Sequence, residues 1–240
     1  RFGARVQFGT VESADLSGDH PKLIVDGKEI ETQTLIIATG AGHRHLGLEN
    51  EKKLENKGVT YCATCDGALP MFRDKPLVVV GGGDSACEEA TYLTRFGSKV
   101  YLIHRRDELR ASKIMAERAV NHDKIEMVWD TVVTEIHGVE HDEVTGVQLK
   151  NTKTGEESRL DCAGVFVAIG HVPNTQIFTG HIDMDEAGYV LPRGGSKTSS
   201  KGVFVAGDCA DQVYRQAITA AGMGCMAAID AERYLGEQDQ

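Results

Sequence analysis

The chain has 240 residues, of which 41% are hydrophobic and 26% charged, as in a globular protein of one large or two modest domains. Its formal net charge of −10 argues against a nucleic-acid or anionic-membrane partner. No apolar run approaches the roughly 20 residues that a membrane-spanning helix needs, so we expect no membrane partner. The 27 glycines favour tight turns at which backbone approaches a ligand.

The first predicted elements are short strands within residues 1–42, and the last of them is apolar and ends at Thr39 and Gly40. Residues 43–58 are polar and predict a connector. Residues 77–103 predict a strand, a glycine turn, a helix from Asp84 to Phe96 and a second strand. This order is a βαβ unit, which predicts a parallel sheet.

The later elements repeat this alternation. Residues 109–120 suit a helix, and residues 125–168 predict strands in a meander laid against the parallel sheet. A strand over residues 203–206 and a long helix over residues 215–235 follow. Because an apolar strand followed by glycine recurs along the chain, we predict two related nucleotide-binding domains.

The glycine turn fits the pattern G-x-G-x-x-A between a strand and a helix. In such a turn the first glycine permits the turn, the second lets backbone approach a pyrophosphate, and the small residue packs helix on strand. The predicted nucleotide-binding residues of the turn are Gly81, Gly83, Asp84, Ser85 and Ala86. Ile169 and Gly170, at the end of a later apolar run, are assigned to the same site.

The second strand of the βαβ unit predicts which nucleotide binds. An NAD site has an acidic residue there for the ribose hydroxyl, but this strand ends in His104, Arg105 and Arg106, with Arg110 close behind. Guanidinium groups suit a 2′-phosphate through charge-assisted, bidentate hydrogen bonds. The pattern therefore predicts NADPH; the alternative is a solvated basic surface.

Cys62 and Cys65 form a C-x-x-C pair directly before the nucleotide-binding strand. Two thiols at this spacing can close a disulfide reversibly. Half of a zinc site is the competing interpretation, but no second Cys or His pair has ligand spacing, so no metal is predicted. The other cysteines are expected to be buried and inert, as in the reducing cytoplasm.

Asp66 follows the pair, and two roles are open for it. It could shuttle the proton that dithiol–disulfide exchange requires, or it could serve as a helix cap or turn residue. NADPH delivers a hydride, and a carrier that accepts a hydride and passes electrons to sulfur is a flavin. The combination of sites therefore also predicts a flavin.

These motifs, in this order and with Gly207, Asp208 and a closing Tyr-Arg-Gln-Ala run at 214–217, closely resemble the low-molecular-weight thioredoxin reductases. The resemblance implies an α/β fold of two Rossmann-like domains. The NADPH-binding domain (residues 44–171), which carries the dithiol, is inserted into a discontinuous FAD-binding domain (residues 1–43 and 172–240).

The same resemblance implies roles for single residues. Cys65 would lie next to the flavin, Cys62 would attack the thioredoxin disulfide, and Asp66 would be the acid–base. The residues implied in FAD binding are Thr39, Gly40, Gly207, Asp208, Arg215, Gln216 and Ala217. A cytoplasmic homodimer acting on thioredoxin is implied as well.

Two further expectations follow from the resemblance. The family begins with a FAD-binding strand, glycine turn and helix that nothing before Arg1 supplies, so we expect an N-terminally truncated chain that holds FAD poorly. The nicotinamide and the disulfide cannot easily contact the same face of the flavin at one time. We therefore expect the domains to rotate at connectors near residues 42–45 and 170–173.

Three other functions remain open. The flavoprotein of an alkyl hydroperoxide reductase shares the dithiol and the glycine motifs but prefers NADH and lacks the arginine cluster. A dithiol oxidase of secondary metabolism has no working nicotinamide site. A non-catalytic NADPH sensor would not need a redox-cycling dithiol.

Overall fold

The computed structural model of the chain describes residues 3–238, and the chain divides into two compact units. The first unit is discontinuous and holds residues 3–42 and 171–238; the second holds residues 43–170. None of the helices within the described residues combines the length and apolar character needed to cross a membrane.

The strands of both units, in chain order, are β1 Val11–Asp15, β2 Lys22–Val25, β3 Lys28–Glu31, β4 Leu35–Ile37, β5 Ala41–His43, β6 Val59–Thr60, β7 Pro76–Gly81, β8 Lys99–Ile103, β9 Ile125–Val128, β10 Thr131–His137, β11 Gly146–Asn151, β12 Glu157–Asp161, β13 Gly164–Ala168, β14 His171–Pro173 and β15 Val203–Val205. The α-helices are α1 Glu49–Lys53, α2 Ala63–Asp66, α3 Asp84–Leu93, α4 Lys113–Val120 and α5 Ala217–Gln238. Short 3₁₀ helices occupy Pro70–Phe72, Val139–His141 and Gln176–Phe178.

The second unit is built on a five-stranded sheet with the order β6-β13-β7-β8-β9, in which every neighbouring pair is parallel. A parallel sheet is normally covered on both faces. Alternate residues of β7 point to opposite faces of the sheet and pack against different layers. Leu77 and Val79 pack with α3 and α4, whereas Val78 and Val80 pack with the antiparallel meander β10-β11-β12. The predicted α/β fold is confirmed. The meander predicted over residues 125–168 is smaller than expected, because β9 and β13 belong to the parallel sheet and only β10, β11 and β12 lie against it.

The first unit contains an antiparallel meander, β1-β2-β3, and a parallel pair, β4 and β15, with Ile37 opposite Val205. One face of β15 packs on the long helix α5, where Phe204 and Ala206 meet Ala227 and Ala231. The carboxyl ends of β4 and β15 lie side by side because parallel strands end at the same edge. In open α/β sheets that edge is where ligands bind.

Several predicted boundaries were wrong. Residues 43–58 are not a plain connector, because they contain helix α1. The buried Glu51 carboxylate stabilises its start by accepting hydrogen bonds from the backbone N–H groups of residues 46, 47 and 48. Helix α3 ends at Leu93 rather than Phe96, and the last strand ends at Val205.

Two helices begin later than the periodicity predicts. Helix α5 begins at Ala217 because Asp211 accepts hydrogen bonds from the backbone N–H groups of residues 213, 214 and 215, which hold a loop. Arg215 there adopts φ +48°, in the left-handed region that ends helical pairing. Helix α4 begins at Lys113 rather than residue 109, for a reason that belongs to the nucleotide site.

Candidate nucleotide and dithiol sites

The glycine turn between β7 and α3 is tight on its inner side. A Cβ on Gly81 would lie 2.4 Å from the Ala168 carbonyl oxygen and 2.6 Å from Cβ of Ala86. A Cβ on Gly82 would lie 2.2 Å from the His104 ring, whereas a Cβ on Gly83 would meet no atom within 4 Å. The first two positions therefore require glycine for lack of space, not because of a positive φ. Only Gly83 opens outward, at the N-terminus of α3.

A cavity of about 760 Å³ lies over this turn, within the range of small-molecule and cofactor sites. It brings together eight predicted nucleotide-binding residues, which are Gly81, Gly83, Ser85, His104, Arg105, Arg110, Ile169 and Gly170. Ala86 instead packs beneath Gly81, and Arg106 and Asp84 are not among the lining residues.

Asp84, which the glycine pattern assigns to the nucleotide site, contacts a residue 28 positions further along the chain. Its carboxylate accepts hydrogen bonds from the backbone N–H and the hydroxyl of Ser112, at 2.7 and 2.9 Å. The backbone N–H of Arg110 donates to the Gly82 carbonyl at 2.7 Å. These contacts hold residues 110–112 against the turn, so α4 cannot begin until Lys113.

His104 supports the turn from below. Its side chain is 4% exposed, and Nδ1 lies 3.0 Å from the Gly81 carbonyl oxygen. Burial, with a smaller contribution from the nearby arginines, lowers the pKa of the imidazole and favours the neutral ring. A neutral, buried imidazole shapes the floor of the cavity and is a poor partner for a phosphate.

Arg105 and Arg110 line the cavity, and Arg106 follows Arg105 at the end of β8. All three are exposed. Among residues 3–238, no carboxylate forms an ion pair with any of their guanidinium groups, although the protein carries a net charge of −10. Cations held near a cavity without an internal counter-ion are suited to an anionic ligand.

Arg44 lines the same cavity and was missed by sequence reasoning. It belongs to the polar stretch interpreted as a connector, where no motif marks it. Its backbone N–H donates to the Gly170 carbonyl at 3.0 Å, so this arginine is fixed where the second unit begins and ends.

Cys62 and Cys65 are joined by a disulfide, with Cα atoms 5.3 Å apart. Cys65 lies within the short helix α2. Its backbone N–H donates to Sγ of Cys62 at 3.1 Å. Cys65 is exposed and Cys62 is half-buried. An N–H group directed at sulfur stabilises the thiolate that reduction would produce.

Asp66 is tied to the dithiol through Thr60, a residue that no motif indicated. The buried Thr60 hydroxyl donates to the Asp66 carboxylate and accepts from the backbone N–H of Cys62, the latter at 3.3 Å. Asp66 is the last residue of α2 and does not cap its N-terminus. An N-terminal cap is therefore excluded, whereas the Asp66 carbonyl accepts from the backbone N–H of Leu69 at 2.8 Å in the turn that follows.

Tyr61, directly before Cys62, connects the dithiol to the start of the second unit. Its hydroxyl donates to the buried Glu51 carboxylate at 3.2 Å and lies 2.8 Å from His45 Nδ1, and its ring stacks on His43. Burial and the Glu51 charge raise the pKa of Tyr61, so the hydroxyl keeps its proton. Tyr61, which precedes the dithiol, therefore contacts three side chains: Glu51, His45 and His43.

The dithiol helix also packs on the nucleotide-binding helix. Ala63 belongs to the same buried cluster as Ala86 and Ala90 of α3. A Cβ on Gly67 would lie 2.8 Å from Leu93 at the end of α3, so glycine there permits the close approach. Within the second unit, both sites therefore contact helix α3.

All the residues assigned to FAD lie in the first unit, and four of them, Thr39, Gly40, Gly207 and Asp208, follow the carboxyl ends of β4 and β15. Gly40 and Gly207 adopt φ +68° and +78°, which only glycine adopts without cost. Asn174 anchors the first end by donating to the carbonyls of Thr39 and Gly40, both at 3.0 Å.

Asp208 follows the second of these strand ends, and Arg215, Gln216 and Ala217 lead into α5. The Gln216 side chain donates to the Tyr214 carbonyl at 3.2 Å. The loop before α5 is organised by Asp211, which sequence reasoning missed. Burial raises the pKa of Asp211, but the backbone N–H groups of residues 213–215 outweigh it and lower the pKa.

The remaining cysteines are free. Cys87, Cys162 and Cys209 are buried as predicted, and burial raises the pKa of Cys87 to about 11 and that of Cys162 to about 12. The expectation was wrong for Cys225, which is exposed on α5. Within residues 3–238, no group of three or more His, Cys, Asp or Glu side chains could hold a metal ion.

A nucleotide-sized cavity with arginines and a C-x-x-C disulfide, both on one parallel-sheet unit, define a nucleotide-dependent disulfide oxidoreductase. Residues 4–224 match the family model described as pyridine nucleotide-disulphide oxidoreductase. The chain is 51% identical to thioredoxin reductase 2 of Arabidopsis thaliana over 99% of its length, and 52% identical to thioredoxin reductase of Mycolicibacterium smegmatis over 100%. It spans 63% of the first relative and 76% of the second.

Solved structures agree with these relatives. Thioredoxin reductase from Giardia duodenalis superposes with a TM-score of 0.91 at 44% identity, covering 98% of this chain and 76% of that one. The enzyme from Streptococcus pyogenes gives 0.89 at 41% identity, covering 95% and 74%. The chain belongs to the thioredoxin reductases of the pyridine nucleotide-disulphide oxidoreductase family, which confirms the resemblance seen in its motifs.

Proposed function

We propose that this protein reduces the disulfide of thioredoxin with electrons from NADPH, through bound FAD. The observation that carries the proposal is the Cys62–Cys65 disulfide on the same unit as an arginine-bearing nucleotide cavity. When bound, NADPH supplies a hydride and FAD passes the electron pair to the disulfide. The names of the relatives support this activity for the family.

We propose that the second unit binds NADPH and the first binds FAD. The residues present fit both groups. Gly83 leaves space beside the N-terminus of α3, where a pyrophosphate can accept backbone hydrogen bonds, and the arginines suit a 2′-phosphate. In the first unit, the glycines that end β4 and β15 let a ligand approach the sheet edge closely.

We assign Cys62 as the sulfur that attacks thioredoxin, since the N–H of Cys65 is directed at it. The Cys62 thiolate attacks the thioredoxin disulfide and forms a mixed disulfide, releasing one thioredoxin thiolate, which takes the proton carried by Asp66. Cys65 then attacks Sγ of Cys62 and restores the Cys62–Cys65 disulfide. The second thioredoxin sulfur leaves as a thiolate and takes the proton that Cys65 gives up, so it is released as a thiol. Thr60 keeps the Asp66 carboxyl group beside the pair.

The test is NADPH-driven reduction of thioredoxin with three variants of the protein. Arg105→Ala/Arg106→Ala should raise the KM for NADPH at least about tenfold with little change for NADH, since each charge-assisted pair contributes about 1.5 kcal/mol or more. Cys65→Ser should trap thioredoxin as a mixed disulfide, whereas Cys62→Ser should not. Equal effects on both nucleotides, or thioredoxin trapped only by Cys62→Ser, would contradict the proposal.

We also propose that the protein acts in the cytoplasm as a homodimer. The four free cysteines outside the dithiol support a reducing compartment, and the dimer rests on family likeness. Light scattering of the FAD-loaded protein that gave the mass of one chain at micromolar concentration would exclude the dimer. Fractionation of source cells would locate the protein.

A further inference from the structure

The turn that joins β11 and β12 reaches the segment that carries the arginines. The backbone N–H and the hydroxyl of Thr152, in this turn, both donate to the Asp130 carbonyl, at 2.6 and 2.9 Å. The hydroxyl also lies 3.5 Å from the Arg105 carbonyl oxygen. Asn151 stabilises the turn by accepting from the N–H groups of residues 153 and 154, both at 2.9 Å. A hairpin from the covering meander therefore braces the arginine segment.

Lys153, at the tip of this hairpin, contacts two carboxylates at once. Its ammonium group lies 2.7 Å from Asp107 and 3.1 Å from Asp130. Asp107 follows Arg106 in the chain, and the backbone N–H of Asp130 donates to the Arg106 carbonyl at 3.1 Å. Both aspartates are thus neighbours of Arg106, one along the chain and one through the backbone, and both carboxylates are paired with Lys153.

We propose that Lys153 is a positioning residue for nucleotide specificity: by holding Asp107 and Asp130, it keeps Arg105 and Arg106 available for the 2′-phosphate of NADPH. Without the lysine, these carboxylates would pair with the guanidinium groups or repel the phosphate. The inference rests on the proposed NADPH site and adds to it a residue that does not line the cavity.

A purely structural role fits the exposure of Lys153 and Asp107 poorly. Their side chains are 60% and 71% exposed, and an ion pair this exposed adds little to folding stability. Asp130 is 17% exposed, so its pair with Lys153 is the more shielded of the two. Removing the lysine should therefore alter the local charge while leaving the fold in place, which makes the proposal open to a binding test.

The experiment measures binding of adenosine 2′,5′-bisphosphate and of 5′-AMP to the full chain by calorimetry, since the two probes differ only in the 2′-phosphate. Lys153→Met should raise the Kd of the bisphosphate about threefold to tenfold, the size expected for a unit charge about 6–8 Å from a phosphate in a solvated site. The Kd of 5′-AMP should change less than about twofold. Lys153→Arg should bind the bisphosphate like the unsubstituted protein.

Lys150→Met is the matched control. Lys150 lies on the same hairpin and pairs with Glu157 at 3.8 Å, so the variant removes the same charge without touching Asp107 or Asp130. It should leave both dissociation constants unchanged. An equal loss of bisphosphate binding in Lys150→Met and Lys153→Met would reduce the effect to net charge and overturn the proposal.

A double-mutant cycle separates positioning from direct contact. In an Asp107→Asn/Asp130→Asn background, the penalty of Lys153→Met for the bisphosphate should shrink below about twofold. A penalty of undiminished size would mean that the lysine binds the phosphate itself. No penalty in the parent protein, or a fall in Tm of many degrees together with weaker 5′-AMP binding, would also overturn the inference. If the parent protein fails to prefer the bisphosphate over 5′-AMP, the proposed NADPH site itself is wrong.

Discussion

At the scale of single residues, the dithiol depends on side chains outside the C-x-x-C pair. Thr60 joins the Asp66 carboxylate to the backbone of Cys62, and Tyr61 is held by a buried glutamate. Both residues lie on or directly after the edge strand β6, which fixes the geometry of the pair. The chemistry assigned to two sulfurs therefore rests on a short, well-anchored piece of backbone.

Asp66→Asn should isolate the proton-transfer role of this carboxyl group. The amide oxygen can still accept the Thr60 hydrogen bond, but the side chain can no longer carry a proton. We expect kcat for thioredoxin reduction to fall about 10²-fold, while the KM for NADPH is unchanged, as for loss of a general acid. Steady-state kinetics with each substrate varied in turn would measure both values.

Asp74→Asn is the control for this prediction. Asp74 is an exposed carboxylate in the same segment, and its left-handed φ of +55° is tolerated by asparagine. It should behave like the unsubstituted protein. If Asp66→Asn retained full kcat, the proton would have to come from solvent, and the acid–base assignment would be lost.

The buried Cys162 thiol predicts a loss of stability at alkaline pH. An unfolded thiol ionises near pH 8.5, whereas burial raises the pKa of Cys162 to about 12. The folded state therefore holds a proton that the unfolded state has lost. Its contribution to stability is complete below about pH 8.5 and falls by up to about 1.4 kcal/mol per pH unit above that.

Urea unfolding under reducing conditions at pH 7, 9 and 10 would test this slope. Cys162→Ala should lose less stability between pH 9 and pH 10 than the unsubstituted protein, by about 1 kcal/mol. Cys225→Ala, which changes an exposed cysteine, should follow the unsubstituted protein. Identical slopes for all three proteins would refute the prediction.

At the scale of elements, the glycine pattern predicts the turn correctly but does not reveal why two of its glycines are required. The pattern correctly predicts a strand, a turn and a helix, but Gly81 and Gly82 are needed for close packing against Ala168, Ala86 and His104. Only Gly83 faces open space. The distinction matters because substitutions at neighbouring glycines should then fail in different ways.

Gly82→Ala should destabilise the fold, by about 1–3 kcal/mol, because its Cβ would overlap the buried His104 ring. Gly83→Ala should fold with nearly normal stability, yet weaken NADPH binding about tenfold, or about 1.4 kcal/mol. Thermal unfolding and calorimetry of both variants would measure the two effects. A Gly83→Ala variant that bound NADPH normally would place the pyrophosphate elsewhere.

The elements that sequence patterns predict well are those defined by local rules. Strand β7, the start of α3 and the meander β10-β11-β12 follow from hydrophobic alternation and turn residues. The start of α4 was missed because long-range hydrogen bonds hold its first predicted turn to the glycine turn.

The residues of the candidate site divide in the same way, into those that belong to local sequence patterns and those that do not. Cys62, Cys65 and the arginines belong to recognisable patterns, whereas Arg44, Thr60 and Lys153 are brought to their sites only by tertiary folding. No local spacing marks them, because each acts through a partner distant in sequence or through backbone. Their roles become visible only from contacts.

At the scale of the whole molecule, the chain divides where the second unit begins and ends, at residues 43 and 170. The backbone N–H of Arg44 donates to the Gly170 carbonyl at 3.0 Å, so the two ends of this unit meet. Its sheet is covered by helices on one face and by a meander on the other. An inserted domain with adjacent ends and its own core has what independent folding requires.

Residues 43–170 expressed alone should therefore fold, form the Cys62–Cys65 disulfide and bind adenosine 2′,5′-bisphosphate within about threefold of the whole chain, a difference below about 0.7 kcal/mol. They should not reduce thioredoxin with NADPH, because the residues assigned to FAD belong to the other unit. A fragment beginning at Pro76 is the control: it lacks β6, which pairs with β13, and Ala63, which packs on α3, so it should unfold or aggregate. If residues 43–170 failed to show a cooperative unfolding transition, the nucleotide and dithiol sites would depend on the first unit, and the division into an inserted and a discontinuous domain would not describe how this chain folds.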